Sequence, residues 1–225
     1  MICVSIGERT AKGCMKALQG LAFAEVRLDM MEPSELTEAN VKMIFSQAAS
    51  PVSQKAKLIA TCRPGKLDEN ERKKLLGYAI ASGAAYVDVE VEANDGYKAE
   101  IAAKARGKGC KVIVSYHNHK RTPPAEELKR IIEWCFESGA DIAKIACMVQ
   151  SEQDTARLLS LLDSDSRGRL VVVGMGQKGR LTRVVAPLLG SAFTYASSAG
   201  GKETAEGQIS RETLEKMMEE LKKLG

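Results

Sequence analysis

Eight short runs of β-branched and other apolar residues recur along the chain, and each is followed by a polar stretch whose apolar residues return at helical spacing. The runs are ICVSIG (2–7), FAEVRLDM (23–30), KLIATCR (57–63), YVDVEVE (86–92), KVIVSYH (111–117), IAKIACM (142–148), LVVVGMG (170–176) and AFTYAS (192–197). They begin 21 to 34 residues apart, which is the length of one strand plus one crossover helix. The pattern therefore predicts eight βα units.

The segments between the runs contain residues that are typical of helix starts. The predicted N-caps are Asp68, with Glu71 as its capping partner, Thr122, with Pro123 at the first helical position, Ser151 and Ser210. No linker rich in proline, glycine or serine divides the chain, so residues 1–225 are predicted to form one domain. Eight βα units in this length predict an α/β protein with a single (β/α)8 TIM barrel. A doubly wound open sheet is the alternative, although such sheets usually have fewer strands.

Charged residues alternate with apolar residues in the second and fourth runs. They are Glu25, Arg27, Asp29, Asp88, Glu90 and Glu92. Such alternation is most common in an antiparallel sheet with one solvated face. The helical connections favour another arrangement, in which the apolar faces meet helices and the polar faces point into a barrel. Barrel enzymes perform their chemistry at the carboxyl ends of the strands, where we expect these charges to collect.

Lys144 lies in the middle of the apolar run IAKIACM, and His117 ends the preceding run. A lysine in such a run often packs its stem and extends its ammonium to water, and a single histidine at a strand end is often a hydrogen-bonded core residue. Poor hydration of the ammonium would instead favour the neutral amine, which attacks carbonyl groups. Lysine and histidine on adjacent strands therefore predict imine chemistry with an acid/base partner.

Composition narrows the class of protein further. The 33 basic and 29 acidic residues give a net charge of +4, and aromatic residues make up only 4% of the chain, which argues against a nucleic-acid partner. Six cysteines without a C-x-x-C pair are predicted to be buried free thiols in a reducing compartment. Because the sequence shows neither a signal peptide nor an apolar run of about 20 residues, we expect a cytoplasmic protein without membrane contact.

Three further motifs give weaker signals. His117 and His119 have the spacing of two metal ligands, but the chain has no third histidine, so no metal is expected. Residues 174–179 match G-x-G-x-x-G, but the next run lacks the terminal acidic residue that a dinucleotide site needs. The glycine-rich loops 174–179 and 200–207 are instead predicted to let the backbone approach a ligand. Arg183 is the candidate anion-binding residue, although by itself it is more typical of a surface helix charge.

Several short motifs lie in a fixed order along essentially the whole chain. They are EVRLD (25–29), TCR (61–63), VDVE (87–90), SYH (115–117) with TP (122–123), AKIA (143–146), MGQKGRLTR (175–183), LGSAFTY (189–195) and EGQIS (206–210). In this order and spacing the sequence resembles type I 3-dehydroquinate dehydratase, the Schiff-base enzyme of the shikimate pathway.

The resemblance implies a reversible syn dehydration of 3-dehydroquinate to 3-dehydroshikimate without a metal or an organic cofactor. It implies that Lys144 forms the imine and that His117 is the general acid and base. It assigns Arg183 and Gln208 to the substrate carboxylate. Other substrate contacts that it implies are Ser5, Glu25, Arg27, Arg63 and Thr204, and the residues expected to act electrostatically behind these contacts are Asp88 and Glu90. A homodimer is the assembly that the resemblance implies.

The chain departs from the family's pattern in three places. Leu67 stands where the family commonly has a glutamate near the histidine, and Glu69 or Glu71 is the candidate to compensate. In the loop 204–208, Glu206 replaces a proline that is common in the family, which predicts a looser lid. The chain begins directly with its first strand, so we expect a barrel that lacks an N-terminal β-hairpin.

Two other functions are compatible with these residues. A class I aldolase also uses a lysine on a barrel strand, but it typically binds a sugar phosphate in the loops after strands seven and eight. His117 and the pairing of Arg183 with Gln208 favour the dehydratase. A catalytically inactive barrel that binds carboxylates or acts as a scaffold is the alternative from a different class, and Leu67 is its best support.

Overall fold

The structure is a computed structural model that describes residues 1–46, 56–162, 168–198 and 204–223. Residues 200–203 of the predicted glycine-rich loop lie outside the described residues. In the described ranges, no helix is both long enough and apolar enough to cross a bilayer.

Strands and helices alternate throughout the described residues, as the hydrophobic pattern predicts. The strands are β1 (Ile2–Ile6), β2 (Phe23–Arg27), β3 (Lys57–Thr61), β4 (Tyr86–Glu90), β5 (Lys111–Asn118), β6 (Ile142–Met148), β7 (Leu170–Met175) and β8 (Thr194–Ser197). The helices are α1 (Ala11–Ala17), α2 (Glu38–Ser46), α3 (Glu69–Ala81), α4 (Asp95–Arg106), α5 (Ala125–Glu137), α6 (Glu152–Leu159), α7 (Arg180–Val185) and α8 (Arg211–Lys222). All eight predicted strands are confirmed, with ends that differ from the prediction by three residues at most.

The strand order confirms the predicted fold class. Hydrogen bonds place the strands in the order β7-β6-β5-β4-β3-β2-β1-β8, so that β8 follows β1 and every other neighbour in the sheet is also a neighbour in sequence. The pairs β2–β3, β3–β4 and β6–β7 are parallel, which excludes the antiparallel alternative for these strands. A doubly wound sheet would reverse its order at an internal switch point. The fold is a (β/α)8 TIM barrel.

The chain divides into two compact units. The first unit contains Met1–Val4, Ser115–Glu137 and Ile142–Gly225, and the second contains Ser5–Val114 and Ser138–Asp141. The predicted single domain over residues 1–225 stays a prediction. In the first unit, helix α7, strand β8 and helix α8 share an apolar cluster made of Val184, Ala196, Leu214 and Met218.

Capping side chains begin three of the helices where the sequence predicts them. The carboxylate of Asp68 accepts the backbone N–H of Glu71 at 2.8 Å, and the carboxylate of Glu71 accepts the backbone N–H of Asp68 at 2.8 Å. Ser151 caps α6 and Ser210 caps α8 through the same type of bond from their hydroxyls. The predicted N-caps of α3, α6 and α8 are therefore confirmed.

The predicted start of α5 at Thr122 and Pro123 is wrong. The helix begins at Ala125, and the Thr122 hydroxyl donates to the carbonyl oxygen of Met148 at 2.8 Å. The hydroxyl therefore ties the segment before α5 to the end of β6 instead of capping a helix.

Two predicted strands end earlier than their alternating sequence indicates. Strand β2 ends at Arg27, and Asp29 lies in the 3-10 turn Leu28–Met30. Strand β4 ends at Glu90, so Glu92 lies beyond it. Because alternation of side chains requires extended backbone, the predicted faces Glu25–Arg27–Asp29 and Asp88–Glu90–Glu92 each lose their last member.

All six cysteines are free and buried, as predicted. Burial raises the pKa of the thiols of Cys62, Cys110 and Cys147 to about 12. These thiols stay protonated at neutral pH, and their side chains behave as small apolar core residues.

Candidate active site

Lys144 is a buried cation of the first unit. Six of the seven residues of β6 are buried, and the Lys144 side chain among them is only 5% exposed. Its ammonium Nζ lies over the ring of Tyr195, 4.4 Å from the ring centroid. A cation over an aromatic face is attracted by the negative potential of the π system, so the Tyr195 ring helps to hold the Lys144 side chain in place.

Arg183 contacts the same tyrosine from helix α7. Its side chain is 1% exposed, and Nη1 donates to the carbonyl oxygen of Tyr195 at 3.3 Å. The alternative that Arg183 is a surface helix charge is therefore wrong. The Lys144 amine thus contacts the ring of Tyr195, and the Arg183 guanidinium contacts its backbone carbonyl. An amine can attack a carbonyl group, and a guanidinium can bind an anion.

His117 lies near the carboxyl end of β5 and is half-buried. Its ring stacks with the ring of His119, with centroids 6.2 Å apart and planes inclined by 15°. The side-chain oxygen of Asn118, between them, accepts the backbone N–H groups of Lys120 and Arg121 at 3.0 Å each. These two hydrogen bonds form a turn at the end of β5, and the turn fixes the backbone that carries the two imidazoles.

The spacing of the two histidines does not build a metal site. Within the described residues, no group of three or more histidine, cysteine, aspartate and glutamate side chains is arranged to hold a metal ion.

The loop 204–208 of the first unit docks backbone against backbone. Gly176 and Gly207 have φ values of +77° and +78°, and a Cβ on Gly207 would lie 2.3 Å from the carbonyl oxygen of Gly176. Gly176 N–H donates to the carbonyl oxygen of Glu206 at 3.2 Å. Only glycine fits such a conformation at such a distance. Glu206 therefore contributes a backbone acceptor to the docked loop.

Within this loop, Gln208 and Thr204 hold each other. Gln208 is 5% exposed, and its side-chain oxygen accepts the backbone N–H of Thr204 at 2.8 Å. Its Nε2 donates to the Thr204 hydroxyl at 3.0 Å. The structure thus brings these two predicted substrate contacts together.

The G-x-G-x-x-G pattern reflects tight packing at the end of β7. A Cβ on Gly179 would lie 2.4 Å from the carbonyl carbon of Gly174, so neither position has room for a side chain. The buried Thr182 hydroxyl accepts the N–H of Gly174 and donates to the carbonyl oxygen of Gly179, both at 2.7 Å. The glycines therefore serve a close backbone contact at the end of β7.

In the second unit, Glu25 is a buried acceptor on β2 and is 4% exposed. The hydroxyls of Ser5 on β1 and Thr61 on β3 donate to its two oxygens at 2.5 and 2.9 Å. Ser5 and Glu25 were both predicted from the sequence, and the structure joins them by a direct hydrogen bond. Thr61 is a third member that the sequence reasoning did not assign to the site.

Arg27 forms a bidentate pair with Asp29. Its Nε and Nη2 atoms donate to the two carboxylate oxygens at 3.0 and 2.7 Å. Burial lowers the pKa of the Arg27 guanidinium, but the hydrogen bonds and charge of Asp29 outweigh burial and raise this pKa above its ordinary value. Arg27 is therefore a fixed cation, although Asp29 reaches it from a turn rather than from the same strand face.

Arg63 lies at the centre of a larger charge cluster. Its Nη1 donates to Asp88 at 3.0 Å and to Glu90 at 2.8 Å, and its Nη2 donates to Asp88 at 2.8 Å. Burial opposes the charge of this guanidinium, but Asp88 and then Glu90 outweigh it, and the pKa of Arg63 is raised well above its ordinary value. Arg72 of α3 completes the cluster by donating Nη1 to the second oxygen of Glu90 at 3.2 Å.

The family model for type I 3-dehydroquinase matches residues 2–224 of the chain. The chain belongs to this family. Membership makes it an enzyme, a hydro-lyase.

Individual members of the type I 3-dehydroquinase family are similar over nearly their whole length. A 3-dehydroquinate dehydratase of Methanococcus maripaludis strain C6 is 32% identical over 223 residues, which cover 97% of this chain and 99% of the relative. One from Methanosarcina acetivorans is 36% identical over 212 residues, covering 92% and 88%. The crystal structure of a type I 3-dehydroquinate dehydratase from Clostridium difficile with covalently modified comenic acid has a TM-score of 0.85 and 27% identity, covering 100% of this chain and 92% of that one.

Glu71 does not replace the glutamate that the family commonly has at the position of Leu67, because the carboxylate of Glu71 caps helix α3. Glu69 and Glu71 are both exposed. In this member of the type I 3-dehydroquinase family, the ring that the structure places beside His117 is that of His119.

Besides Thr61, two side chains that contact predicted residues were not identified from the sequence. Tyr195 is part of a quoted motif, but only the register of β8 shows that its ring meets Lys144. Arg72 did leave a signal, since it lies three and four residues before Leu75 and Leu76 and so occupies the apolar stripe of α3. An arginine in such a stripe indicates a buried charge with a partner.

Proposed function

We propose that the chain dehydrates 3-dehydroquinate to 3-dehydroshikimate through an imine at Lys144, with His117 as general acid and base. The proposal is carried by Lys144 of β6, whose amine is buried against the ring of Tyr195. The chain is also a member of the type I 3-dehydroquinase family. A solved relative with covalently modified comenic acid also supports covalent chemistry in this family. The pathway in which we place the reaction is the shikimate pathway of aromatic biosynthesis.

The reaction balances with two protein groups. The Lys144 amine attacks the ketone carbon, and the carbinolamine hydroxyl leaves as water with a proton from His117, which gives a protonated imine and a neutral imidazole. His117 takes a proton from the adjacent carbon, and the electron pair of that C–H bond moves into the imine to form an enamine. The enamine expels the β-hydroxyl, which leaves as water with the proton from His117. A water molecule then hydrolyses the protonated imine of the product, which restores the Lys144 amine and returns a proton to His117.

The remaining predicted residues bind and orient the substrate in this proposal. Arg183 pairs with the substrate carboxylate, and Gln208 and Thr204 assist from the docked loop. Buried guanidinium groups bind carboxylates in a bidentate geometry that lysine does not offer. The residues proposed to contact ring hydroxyls are Ser5, Glu25, Arg27 and Arg63, and those proposed to orient Arg63 are Asp88 and Glu90.

Borohydride trapping tests the imine directly. The protein is incubated with 3-dehydroquinate and borohydride, digested and analysed by peptide mass. We expect an adduct on Lys144 and none on Lys98, a lysine that is 3% exposed and donates to the Val91 carbonyl at 2.7 Å. A folded protein without an adduct on Lys144 would overturn the proposal, and a sugar-phosphate adduct at Lys144 would indicate aldolase chemistry.

Variants separate the two catalytic roles. We expect Lys144→Ala to abolish turnover while the circular dichroism spectrum and melting curve stay those of a folded protein. We expect His117→Ala to slow both imine formation and imine hydrolysis in single-turnover measurements, because both steps need a proton transfer. An unchanged rate in His117→Ala would contradict the acid/base role.

We also propose a cytoplasmic homodimer. Support for the dimer comes from large apolar side chains that are exposed on and near α7 and α8, namely Leu181, Leu188, Leu189, Met217 and Leu221. Sedimentation equilibrium should give twice the chain mass, and Leu181→Asp should lower it; a monomer at all concentrations would contradict the dimer. Cell fractionation tests the location, and support for a reducing compartment comes from six buried cysteines that form no disulfide.

A further inference from the structure

Arg72 is a buried charge that the reaction does not use directly. Its side chain is 6% exposed on α3, and its guanidinium lies over the ring of Tyr97, 5.2 Å from the centroid. Besides its bond to Glu90, Nη1 donates to the carbonyl oxygen of Cys62 at 3.4 Å. Burying a charge at this position costs hydration free energy, so the contacts around the guanidinium must compensate for the lost hydration.

Glu90 is the link between Arg72 and Arg63. Its Oε1 accepts from Arg63 at 2.8 Å, and its Oε2 accepts from Arg72 at 3.2 Å. Each oxygen therefore serves a different arginine. The anchoring of Oε2 by Arg72 limits Glu90 to one oxygen toward Arg63.

The charges of the four hydrogen-bonded residues cancel only when Arg72 is counted, and Glu25 adds a further negative charge that acts on Arg63. Arg63 faces the carboxylates of Asp88 and Glu90, and those three residues together carry one net negative charge. Arg72 supplies the second positive charge at 3.2 Å from Glu90. Charges separated by such distances in a buried environment interact strongly, so the balance affects how attractive Arg63 is to an incoming anion or hydroxyl oxygen.

We propose that Arg72 is a positioning residue for substrate binding: it holds Glu90 and neutralises its charge, so that Arg63 keeps its affinity for substrate. The inference rests on the proposed function, in which Arg63 contacts a substrate hydroxyl. Without Arg72, Glu90 turns its second oxygen to Arg63, and the cluster gains a net negative charge that weakens binding of an anionic substrate.

Steady-state kinetics with 3-dehydroquinate test the inference. For Arg72→Met we expect KM to rise about tenfold, the factor that about 1.4 kcal/mol represents, with kcat changed less than about threefold. Arg72→Lys keeps the positive charge but not the planar guanidinium, so its KM should lie between those of the wild-type protein and Arg72→Met. The double variant Arg72→Met with Glu90→Gln also removes the uncompensated negative charge, so its KM should return most of the way to the wild-type value. The matched control is Lys73→Met, on the same helix, which removes an ion pair to Glu100 at 2.9 Å and should leave KM unchanged.

The outcomes are separable. A merely structural role would lower the melting temperature of Arg72→Met without the selective recovery by Glu90→Gln, and that result would overturn the inference, as would an unchanged KM. Where Arg72→Met does not fold, Arg72→Lys and the double variant carry the same comparison. An inactive wild-type protein without a Lys144 adduct counts against the proposed function instead. A crystal structure of Arg72→Met gives a readout independent of turnover, since a Glu90 carboxylate that keeps its orientation would overturn the inference.

Discussion

Replacing Gly207 with alanine tests whether the docked loop 204–208 is required for substrate binding. The substitution adds one methyl group at a φ of +78°, and that methyl would lie 2.3 Å from the carbonyl oxygen of Gly176. The obstacle is backbone rather than a flexible side chain, so rotation of a side chain cannot relieve it. The loop has to move away from Gly176.

The cost follows from two contributions. A left-handed backbone costs an alanine about 1–2 kcal/mol relative to glycine, and an overlap of this kind in a packed region adds about 1–3 kcal/mol. The loss of global stability is limited by what docking contributes, mainly the Gly176–Glu206 hydrogen bond and the burial of Gln208, about 2–3 kcal/mol together. We therefore expect the loop to undock while the rest of the chain stays folded.

Gly20→Ala is the matched control. Gly20 has a φ of +72°, but a Cβ there would meet nothing within 4 Å, so this variant carries the conformational cost without the overlap. Both variants should melt within several degrees of the wild-type protein. Only Gly207→Ala should lose substrate affinity, with KM for 3-dehydroquinate rising at least about tenfold in an assay of the conjugated product by ultraviolet absorbance. Equal KM values for the two variants would refute the role of the docked loop.

Three further predictions concern the stability and reactivity of the fold. Thr182→Val leaves the buried N–H of Gly174 and carbonyl of Gly179 without their hydroxyl partner, so urea unfolding should show a loss of about 2–4 kcal/mol, which Thr182→Ser should largely avoid; equal stability of both variants would contradict this. Asp68→Ala should cost about 1 kcal/mol of unfolding free energy and leave kcat unchanged, and a stability equal to wild type would show that the capping box is not needed. Burial raises the pKa of the thiols of Cys62, Cys110 and Cys147 to about 12, so these cysteines should react with a disulfide reagent at pH 8 only after denaturation. Fast labelling of the native protein would disprove their burial as protonated thiols.

The order of elements could be predicted because each strand is a short apolar run followed by a helix with its own periodicity. Strand ends were less predictable, as the polar alternation continues through Asp29 and Glu92 after the backbone has left the sheet. Thr122 shows the same limit, because its hydroxyl found a tertiary partner at Met148 that local sequence does not reveal.

The candidate site was predictable where a residue violates its local pattern. Lys144 interrupts an apolar strand, and the structure does bury it, although its catalytic role stays a prediction. Partners were not predictable, since the contact of Lys144 with Tyr195 depends on strand register, and the link from Arg72 to Glu90 joins a helix to a strand end. Such contacts are set by tertiary packing rather than by neighbouring sequence.

The carboxylate of Glu25, with the hydroxyls of Ser5 and Thr61 on its two oxygens, has a consequence for how this enzyme can evolve. A mutation that replaced Glu25 in order to accept a different substrate would leave two buried hydroxyls on other strands without their acceptor. Substitutions at the three positions are therefore not independent, and each constrains which others selection can retain. The three residues behave as one locus, so a library that varies them jointly should yield active variants that single-site libraries miss.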